Sequence, residues 1–336
     1  MPLVVLFLAY LLLAGLLVFL SDKLGLYIDL LDKKTKISGA FLGGVLLAAV
    51  TSLPELFTSV SAILIVRENS MVVGNILGSN LFNLMVLGIC LVFGYKAFAQ
   101  AKIEYRSHFY TFLGLALIYA LIAYGLFVPT RFQPAVGPVN FICIGALVVY
   151  ALILFLQPKS SSEEEEKETD SPLTVRQIVI RFSICALVLI AASIAITSVT
   201  DLIAEEIQLD ATVAGALFLA VATSLPELVS CISLCRRGNF NASFGDILGS
   251  CLFNFCIIGI GELLSFDRSL IVQQEKESML MTILTIVGLL AVFALLLVKK
   301  RTIDNREEKK ENVGFSVLTV LLGLLAFSGY LIYLAL

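Results

Sequence analysis

The sequence predicts an all-α membrane protein with ten transmembrane helices, arranged as two inverted repeats of five helices. Three observations support this fold class: the composition, the number of apolar segments, and a pair of motifs that occurs once in each half. Hydrophobic residues make up 59% of the 336 residues, and charged residues only 15%. This composition is typical of a chain that crosses the bilayer many times, and it leaves no segment for a soluble domain.

Ten apolar segments are long enough to cross a membrane. A hydrocarbon core of about 30 Å requires roughly 20 helical residues. The predicted spans are 2–20, 38–66, 71–94, 108–128, 137–157, 177–200, 211–235, 242–264, 278–298 and 313–335. The first span lacks a basic start and a small-residue cleavage site, so we expect it to be retained and not removed as a signal peptide.

One polar, low-complexity stretch separates the spans into two groups of five. It contains the sequence SSSEEEEKETD and is predicted to be a solvated acidic linker. The predicted domains are therefore a first five-helix repeat over 1–157, an acidic linker over 158–176, and a second five-helix repeat over 177–336.

The distribution of basic residues predicts the orientation of the chain. Most of the 23 lysines and arginines lie in the odd-numbered loops, and positively charged loops are retained on the cytoplasmic side. We therefore expect a multi-pass protein of the cell membrane with a cytoplasmic linker at 157–176 and both termini extracellular. Because each half has an odd number of spans, the second half must enter the membrane upside down relative to the first.

Two motifs occur together in each half of the chain. The first copy reads GGVLLAAVTSLPELFTS and then GNILGSNLFN, and the second reads GALFLAVATSLPELVSC and then GDILGSCLFN. Each copy places one glutamate, Glu55 or Glu227, inside an apolar segment. Acidic side chains inside a membrane are costly and usually functional, so two at equivalent positions of a repeat indicate a functional site.

A proline precedes each of these glutamates. Pro54 and Pro226 lack an N–H group and their rings clash with the preceding turn, so we expect the second and seventh helices to be broken or kinked. Irregular backbone at membrane depth is tolerated where it lines a polar cavity or is covered by protein. The side chains predicted to surround the freed carbonyl oxygens near the bilayer midplane are Thr51, Ser52, Glu55, Thr223, Ser224 and Glu227.

These oxygen-bearing side chains favour a hard cation. Calcium takes about six to eight oxygen ligands, whereas softer metals prefer His or Cys. The chain has one histidine, and its seven cysteines lie in apolar runs without a CxxC pair, so we expect reduced cysteines with a packing role. No lysine or arginine lies near the centre of a predicted span. A divalent cation, several monovalent cations or protons could each neutralise Glu55 and Glu227.

The second motif combines small residues with polar ones. Gly74 and Gly78, and likewise Gly245 and Gly249, have the small-xxx-small spacing that allows helices to approach, so we expect the third and eighth helices to lie close together. The Ser/Asn pairs that follow at i and i+4 are Ser79, Asn83, Ser250 and Asn254. Their oxygens point to one side of each helix, and both helix–helix hydrogen bonding and ion ligation remain open for them.

TSLPEL followed by G[ND]xxGSxxxN, present twice, resembles the alpha repeats of the sodium/calcium exchanger family of cation/calcium antiporters. The resemblance spans both halves. It implies ten helices with broken second and seventh spans, a midplane site, and alternating access by movement of the first and sixth helices. The metal ligands that it implies are the carboxylates of Glu55 and Glu227, backbone oxygens at Ala48, Thr51, Ala220 and Thr223, and the side chains of Ser52, Ser79, Asn83, Ser224, Ser250 and Asn254.

Two further features bear on the site: one departure from the family pattern and one difference between the two motif copies. Many relatives have an aspartate where this chain has Asn83 or Asn254, so the site has one fewer titratable group and the counter-ion stays open. Asp246 stands where the first copy has Asn75. Asp246 is either an interfacial helix cap or a carboxylate on the path by which ions reach the site. Asn75 and Asp246 are both candidates for an entry or secondary site.

We expect a secondary active antiporter that exchanges Ca²⁺ for Na⁺ by alternating access, with H⁺-driven exchange as the alternative and a cation channel as the less favoured one. Two unscreened carboxylates oppose occlusion of an empty site, whereas a loaded site is close to neutral. The spans contain no GxSG with a His partner and no Asp dyad, so we expect no enzyme activity. We also expect no cofactor, no nucleic-acid partner, and a chain that works as a monomer in the lipid bilayer.

Overall fold

The computed structural model describes residues 3–66, 69–136, 139–159, 171–207, 214–265, 269–271 and 276–304. The α-helices are α1 (Leu3–Lys34), α2 (Gly39–Phe41), α3 (Ala48–Thr51), α4 (Leu53–Ser61), α5 (Asn69–Phe93), α6 (Tyr95–Gln100), α7 (Tyr105–Phe127), α8 (Phe141–Leu156), α9 (Val175–Glu206), α10 (Ala214–Arg236), α11 (Phe240–Leu264) and α12 (Lys276–Asp304). Two short strands, β1 (Ala135–Val136) and β2 (Val139–Asn140), pair antiparallel between α7 and α8.

Within the described residues, seven helical segments are long and apolar enough to cross a membrane. The helices α8 and α10 occupy the fifth and seventh predicted spans. The predicted tenth span, 313–335, and the central part of the predicted linker, 160–170, lie outside the described residues. The chain is therefore an all-helical, multi-pass membrane protein.

The first helix is longer than the sequence predicted, because its polar end is paired with other parts of the protein. The predicted span ended at residue 20, whereas α1 continues to its last turn at two lysines. Asp29 forms an i, i+4 ion pair with Lys33 at 2.8 Å, and Asn239 donates hydrogen bonds to the carboxylates of Asp29 and Asp32 at 3.1 and 3.0 Å. These bonds satisfy polar groups beyond the apolar segment.

The second span is interrupted as predicted. It consists of α2, a π-helical turn at Leu42–Leu47, α3, α4 and a second π-helical turn at Ala62–Val66. Between α3 and α4, Ser52 leaves helical geometry with φ −91° and ψ 6°. This break lies two residues before Pro54, where the missing N–H of the proline weakens the helix.

The predicted break in the seventh span is wrong, because the helix there is continuous. Helix α10 runs without interruption and contains Pro226 in its interior. A proline removes one hydrogen bond and commonly bends a helix without ending it. The identical TSLPEL sequence therefore ends one helix and is accommodated inside another.

The helices differ in how deeply they lie in the bundle. In the apolar windows of α11 and α5, 78% and 72% of residues are buried, whereas the corresponding share of α1 is 17%. Helices α1 and α9 pack against each other, and large apolar side chains such as Leu12 and Leu187 point outward from them. We interpret α5 and α11 as the inner helices and the α1–α9 pair as a lipid-facing pair at the periphery.

The glycines of α11 pack against the second span instead of against α5. A Cβ on Gly245 would lie 2.5 Å from the carbonyl oxygen of Ala40, and one on Gly249 would lie 2.2 Å from that of Gly44. By contrast, no atom of the described residues lies within 4 Å of a Cβ built on the equivalent Gly78. Helices α5 and α11 are in contact, but the close approach that the glycines permit is to the second span.

This difference between equivalent glycines predicts unequal effects of alanine. Gly249→Ala should destabilise the protein by about 1–3 kcal/mol, because the added methyl group overlaps the backbone at Gly44. Gly78→Ala is the matched control and should be neutral or slightly stabilising, because alanine has the higher helix propensity. The midpoint temperature for loss of the monodisperse detergent-solubilised protein measures both, and equal midpoints would contradict the packing described above.

Candidate functional site

The two motif glutamates lie together in the interior, and each is bonded to the other copy of the motif. Both side chains are only 1% exposed. Ser52 donates a hydrogen bond to Oε1 of Glu227 at 3.1 Å, and Ser224 donates one to Oε1 of Glu55 at 3.4 Å. The serine three residues before each glutamate therefore serves the carboxylate of the opposite copy.

Half of the carboxylate oxygens in this pair remain unsatisfied. Within the described residues, Oε2 of Glu55 and Oε2 of Glu227 are buried without a hydrogen-bond partner, as are the side-chain oxygens of Asn83 and Asn254. No lysine or arginine of the described part of the chain forms an ion pair with either glutamate. Buried acceptor atoms without partners are costly, and oxygen atoms of this kind are the ligands that a hard cation takes.

The hydroxyl groups of the second span and of α11 meet beside the glutamates. Oγ1 of Thr51 donates to the carbonyl oxygens of Leu47 and Ala48 at 3.2 and 3.3 Å, and it lies 3.5 Å from Oγ of Ser250. The carbonyl of Ala48 also accepts from the backbone N–H of Ser52 at 3.0 Å. If the Ala48 carbonyl bound a cation, its oxygen would at the same time accept hydrogen bonds from Thr51 and Ser52.

The remaining candidate ligands lie on α5 and α10. Ser79 and Thr223 face the carboxylate of Glu55, and Asn83 is buried one turn beyond Ser79 on α5. Ala220 lies in α10, among the residues whose side chains are not described, so its predicted backbone role stays a prediction.

Asp246 is a third buried carboxylate, and of the two roles left open for it, the helix cap is wrong. Helix α11 begins at Phe240, and its cap is Asn239, whose side chain accepts from the N–H of Ala242. Asp246 lies almost two turns further on, fully buried, where it accepts a hydrogen bond from Ser230. The helix starts earlier than the predicted span did, and this places Asp246 deeper in the protein.

Asp246 is also connected to the glutamate pair. The hydroxyl of Ser230 lies between Asp246 and Glu227: it donates hydrogen bonds to the backbone carbonyl of Glu227 at 3.1 Å and to the carboxylate of Asp246. The equivalent Asn75 in the first copy is half-buried, and its Nδ2 has no partner among the described residues. Three carboxylates from two motif copies thus share one buried region.

Asn80 is a site residue that the sequence did not indicate. Its Nδ2 donates to the hydroxyl of Tyr119 at 3.2 Å and to the carbonyl of Cys251 at 3.4 Å, while its Oδ1 accepts from Nδ2 of Asn254 at 2.9 Å. The last bond orients Asn254 so that its own oxygen remains free. Because the second copy has cysteine at the equivalent position, the repeat gives no signal for Asn80.

The resulting site consists of oxygen ligands on four helical elements. The second span provides Thr51, Ser52 and Glu55, while α5, α10 and α11 provide the rest. Among the described residues, the site has unpaired carboxylate and amide oxygens and no lysine or arginine paired with its glutamates. This arrangement fits a hard cation such as Ca²⁺ or Na⁺ better than a soft metal.

Comparison with known proteins places the chain in a family. The family described as sodium/calcium exchanger protein matches residues 3–158 and 178–336. The chain is 27% identical over 262 residues to the inner membrane protein YrbG of Escherichia coli (strain K12), covering 74% of this chain and 77% of that protein. It is also 27% identical over 282 residues to the membrane protein MJ0091 of Methanocaldococcus jannaschii, with 82% and 85% covered.

Solved structures of the sodium-calcium exchanger NCX_Mj share the fold. One, soaked with 10 mM Na⁺ and no Ca²⁺, superposes with a TM-score of 0.70 at 19% identity and covers 99% of both chains. Another, soaked with 100 mM Na⁺ and 10 mM Sr²⁺, has a TM-score of 0.67 at 21% identity and covers 99% of this chain and 98% of that one. The family match over both halves confirms the resemblance of the motifs: the chain belongs to the sodium/calcium exchanger protein family, whose members are transporters and not enzymes.

Proposed function

We propose that the protein is a secondary active antiporter that exchanges Ca²⁺ for Na⁺ across the membrane at the site around Glu55 and Glu227. The observation that carries this proposal is the pair of buried glutamates, each with one oxygen held by a serine and one oxygen unpaired. A bound cation supplies the missing positive charge. The family match and the use of Na⁺ and Sr²⁺ with NCX_Mj support these ions as the cargo.

Coupling follows from the charge of the site. Without a cation, buried carboxylates repel one another and resist removal from water, so closing the site on both sides is unfavourable. Either Ca²⁺ or Na⁺ ions neutralise the same oxygens, and the two cargos therefore exclude each other. If only the neutralised site changes its access, each Ca²⁺ that crosses in one direction requires Na⁺ to return in the other.

Two inverted halves provide the two access states. We infer that 1–157 and 177–336 enter the membrane in opposite orientations, with ten spans, both termini outside and the linker in the cytoplasm, and that a monomer is sufficient. The contacts between Ser52 and Glu227, and between Ser224 and Glu55, join the halves at the site itself. The α1–α9 pair lies at the periphery, and we assign the movement between the two access states to this pair.

The position of Asp246 favours a role on the path by which ions reach the glutamates. Asp246 lies about two turns of α11 from Asn254, toward the start of the helix, and its partner Ser230 lies about one turn beyond Glu227 on α10. A carboxylate at this position attracts cations toward the glutamates and raises their affinity by its charge.

Exchange driven by H⁺ is the second candidate, and the third buried carboxylate favours it. Each of Glu55, Glu227 and Asp246 is an oxygen acid that a proton can neutralise without a metal. Flux of radioactive calcium into proteoliposomes, with imposed gradients of Na⁺, K⁺ or pH, separates the two. We expect uptake that depends on an outward-directed Na⁺ gradient; uptake driven by pH in the absence of Na⁺ would establish proton coupling, and uptake without any counter-ion would indicate a channel.

Glu55→Gln and Glu227→Gln should each abolish calcium exchange, because one negative charge and one ligand oxygen are lost. Glu262→Gln is the matched control. Glu262 is equally buried, but its two oxygens accept from the backbone N–H groups of Asn140 and Leu270 at 2.6 and 2.8 Å. This control should lose about 1–3 kcal/mol of stability and keep its exchange rate per folded molecule. Normal exchange by both site variants would defeat the proposed site.

Removing the serine of one motif copy should weaken calcium binding by the glutamate of the other copy. Ser52→Ala and Ser224→Ala each remove a hydrogen bond to a charged group, worth about 1.5–3 kcal/mol, and should raise the half-saturating calcium concentration roughly tenfold or more. Thr282→Ala is the control, because within the described residues that buried hydroxyl bonds to the carbonyl of Ser278 in its own helix, α12, and to no group of the site. Calcium dependence of the initial exchange rate gives the comparison, and unchanged half-saturation in both serine variants would rule out the crossed bonds.

Asp246→Asn should raise the half-saturating calcium concentration about tenfold, because it removes a negative charge that acts on Glu227 through a low-dielectric interior. Asn75→Ala, at the equivalent position, removes no charge and should have a much smaller effect. The same flux assay at several ionic strengths measures both. An affinity that does not change in Asp246→Asn would show that this carboxylate is only a structural partner of Ser230.

A further inference from the structure

Three cysteines outside the oxygen-lined site converge between the two halves of the chain. The Sγ atoms of Cys90, Cys231 and Cys235 all lie within 4.8 Å of one another, and those of Cys90 and Cys231 are 3.4 Å apart. All three are free thiols. Their apolar surroundings predicted a packing role. The CxxxC spacing on α10 already indicates a shared position, since cysteines at i and i+4 lie on one face of a helix.

The distances match the requirements of a metal with sulfur ligands. With a metal–sulfur bond of about 2.3 Å, three sulfurs arranged around one ion are separated by about 4 Å. Small rotations of the side chains from the present positions would reach that geometry. Cys90 and Cys231 are buried, while Cys235 is half-buried at the end of α10, so an ion has a route to the cluster.

A hydroxyl group stands beside the sulfurs. Oγ of Ser243 lies 3.2 Å from Sγ of Cys231 and 3.2 Å from Sγ of Cys235. It therefore lies where it can add an oxygen ligand to the three sulfurs. Thiolate sulfur selects soft metals such as Cu⁺ and Zn²⁺, and discriminates against the hard cations that the oxygen-lined site favours.

We propose that Cys90, Cys231 and Cys235 form a second metal site, which binds one soft, thiophilic ion and thereby ties α5 to α10. Cu⁺ is satisfied by the three sulfurs, and Zn²⁺ takes the oxygen of Ser243 or a water as its fourth ligand. The site is chemically separate from the cargo site because it offers sulfur in place of oxygen.

The position of this cluster gives the bound ion a consequence for transport. Cys231 is one helical turn from Glu227 on α10, about 6 Å along the axis, and Cys90 is two turns from Asn83 on α5. An ion held here joins the two helices that carry cargo ligands from opposite halves. The bound soft metal should slow exchange, because it restrains the movement of α5 against α10. This consequence rests on the proposed exchange function.

Metal binding can be measured without any transport assay. The purified full-length protein in detergent, kept reduced and free of oxygen, is titrated with Cu⁺ against a chromophoric Cu⁺ chelator, and in a second arm with Zn²⁺ against a Zn²⁺ chelator. We expect one ion per chain and X-ray absorption that shows three sulfur ligands at about 2.3 Å. Cys235→Ser and Cys90→Ser should weaken binding at least a hundredfold, whereas Cys185→Ser, on α9, should not.

The site would be overturned if the wild type bound no ion tightly in either arm. It would also be overturned if the Cys90→Ser and Cys235→Ser variants bound the ion as tightly as the wild type. If a variant fails to fold, the wild-type protein alone decides the matter. Maleimide labelling followed by mass spectrometry should show that the ion protects Cys235, the half-buried member of the cluster, but leaves the half-buried Cys185 reactive. Equal labelling of Cys235 with and without the ion would also overturn the site.

The effect on transport distinguishes this inference from the proposed function. Loading with the ion should slow calcium exchange in proteoliposomes about tenfold, a chelator should restore it, and Cys235→Ser should be insensitive. Metal binding that does not slow calcium exchange would support the metal site and contradict the proposed restraint on the movement of α5 against α10. An absence of exchange in the metal-free wild type would reject the exchange function while the binding data stand.

Discussion

The burial of two glutamates without a protein cation is the constraint on which the rest of the structure depends. Glu55 and Glu227 come from separate copies of one motif, and the serine of each copy bonds the carboxylate of the other. A buried charge is tolerated only if it is compensated. Hydrogen bonds compensate half of the oxygens here, and the other half stay available for an ion. The serines therefore hold one oxygen of each carboxylate in place, and in the proposed function a bound cation compensates the remaining negative charge.

The helices around this pair are packed so that polar groups can approach one another. The glycines of α11 allow its backbone to lie directly against the second span near Gly44, which brings Ser250 within reach of Thr51. Asn80 plays a comparable part between α5 and α11, because it binds the amide of Asn254 and the hydroxyl of Tyr119. Close backbone contact and amide bonding thus position oxygens that a purely apolar interface would separate.

Much of the fold and of the central site could be predicted from the sequence, because the chain contains two copies of the relevant motif. The repeat identified Glu55 and Glu227, and span length identified the helices. Asn80 escaped because its equivalent is a cysteine, and the depth of Asp246 escaped because apolar patterns do not fix where a helix begins. The CxxxC spacing of Cys231 and Cys235 is visible in the sequence, but Cys90 joins them through a contact between distant helices, and no local spacing encodes such a contact.

The difference between the two copies carries a final mechanistic argument. TSLPEL interrupts the second span at Ser52 but lies within a continuous helix around Pro226. Since the local sequence is the same, the local sequence cannot be the cause, and the surroundings must select between the two backbone forms. The second span is pressed against the glycines of α11, whereas Gly78 of α5 has open space among the described residues. If the two halves are inverted, as proposed above, exchange of these environments would exchange the two backbone forms, and the same glutamate pair would then face the other side of the membrane.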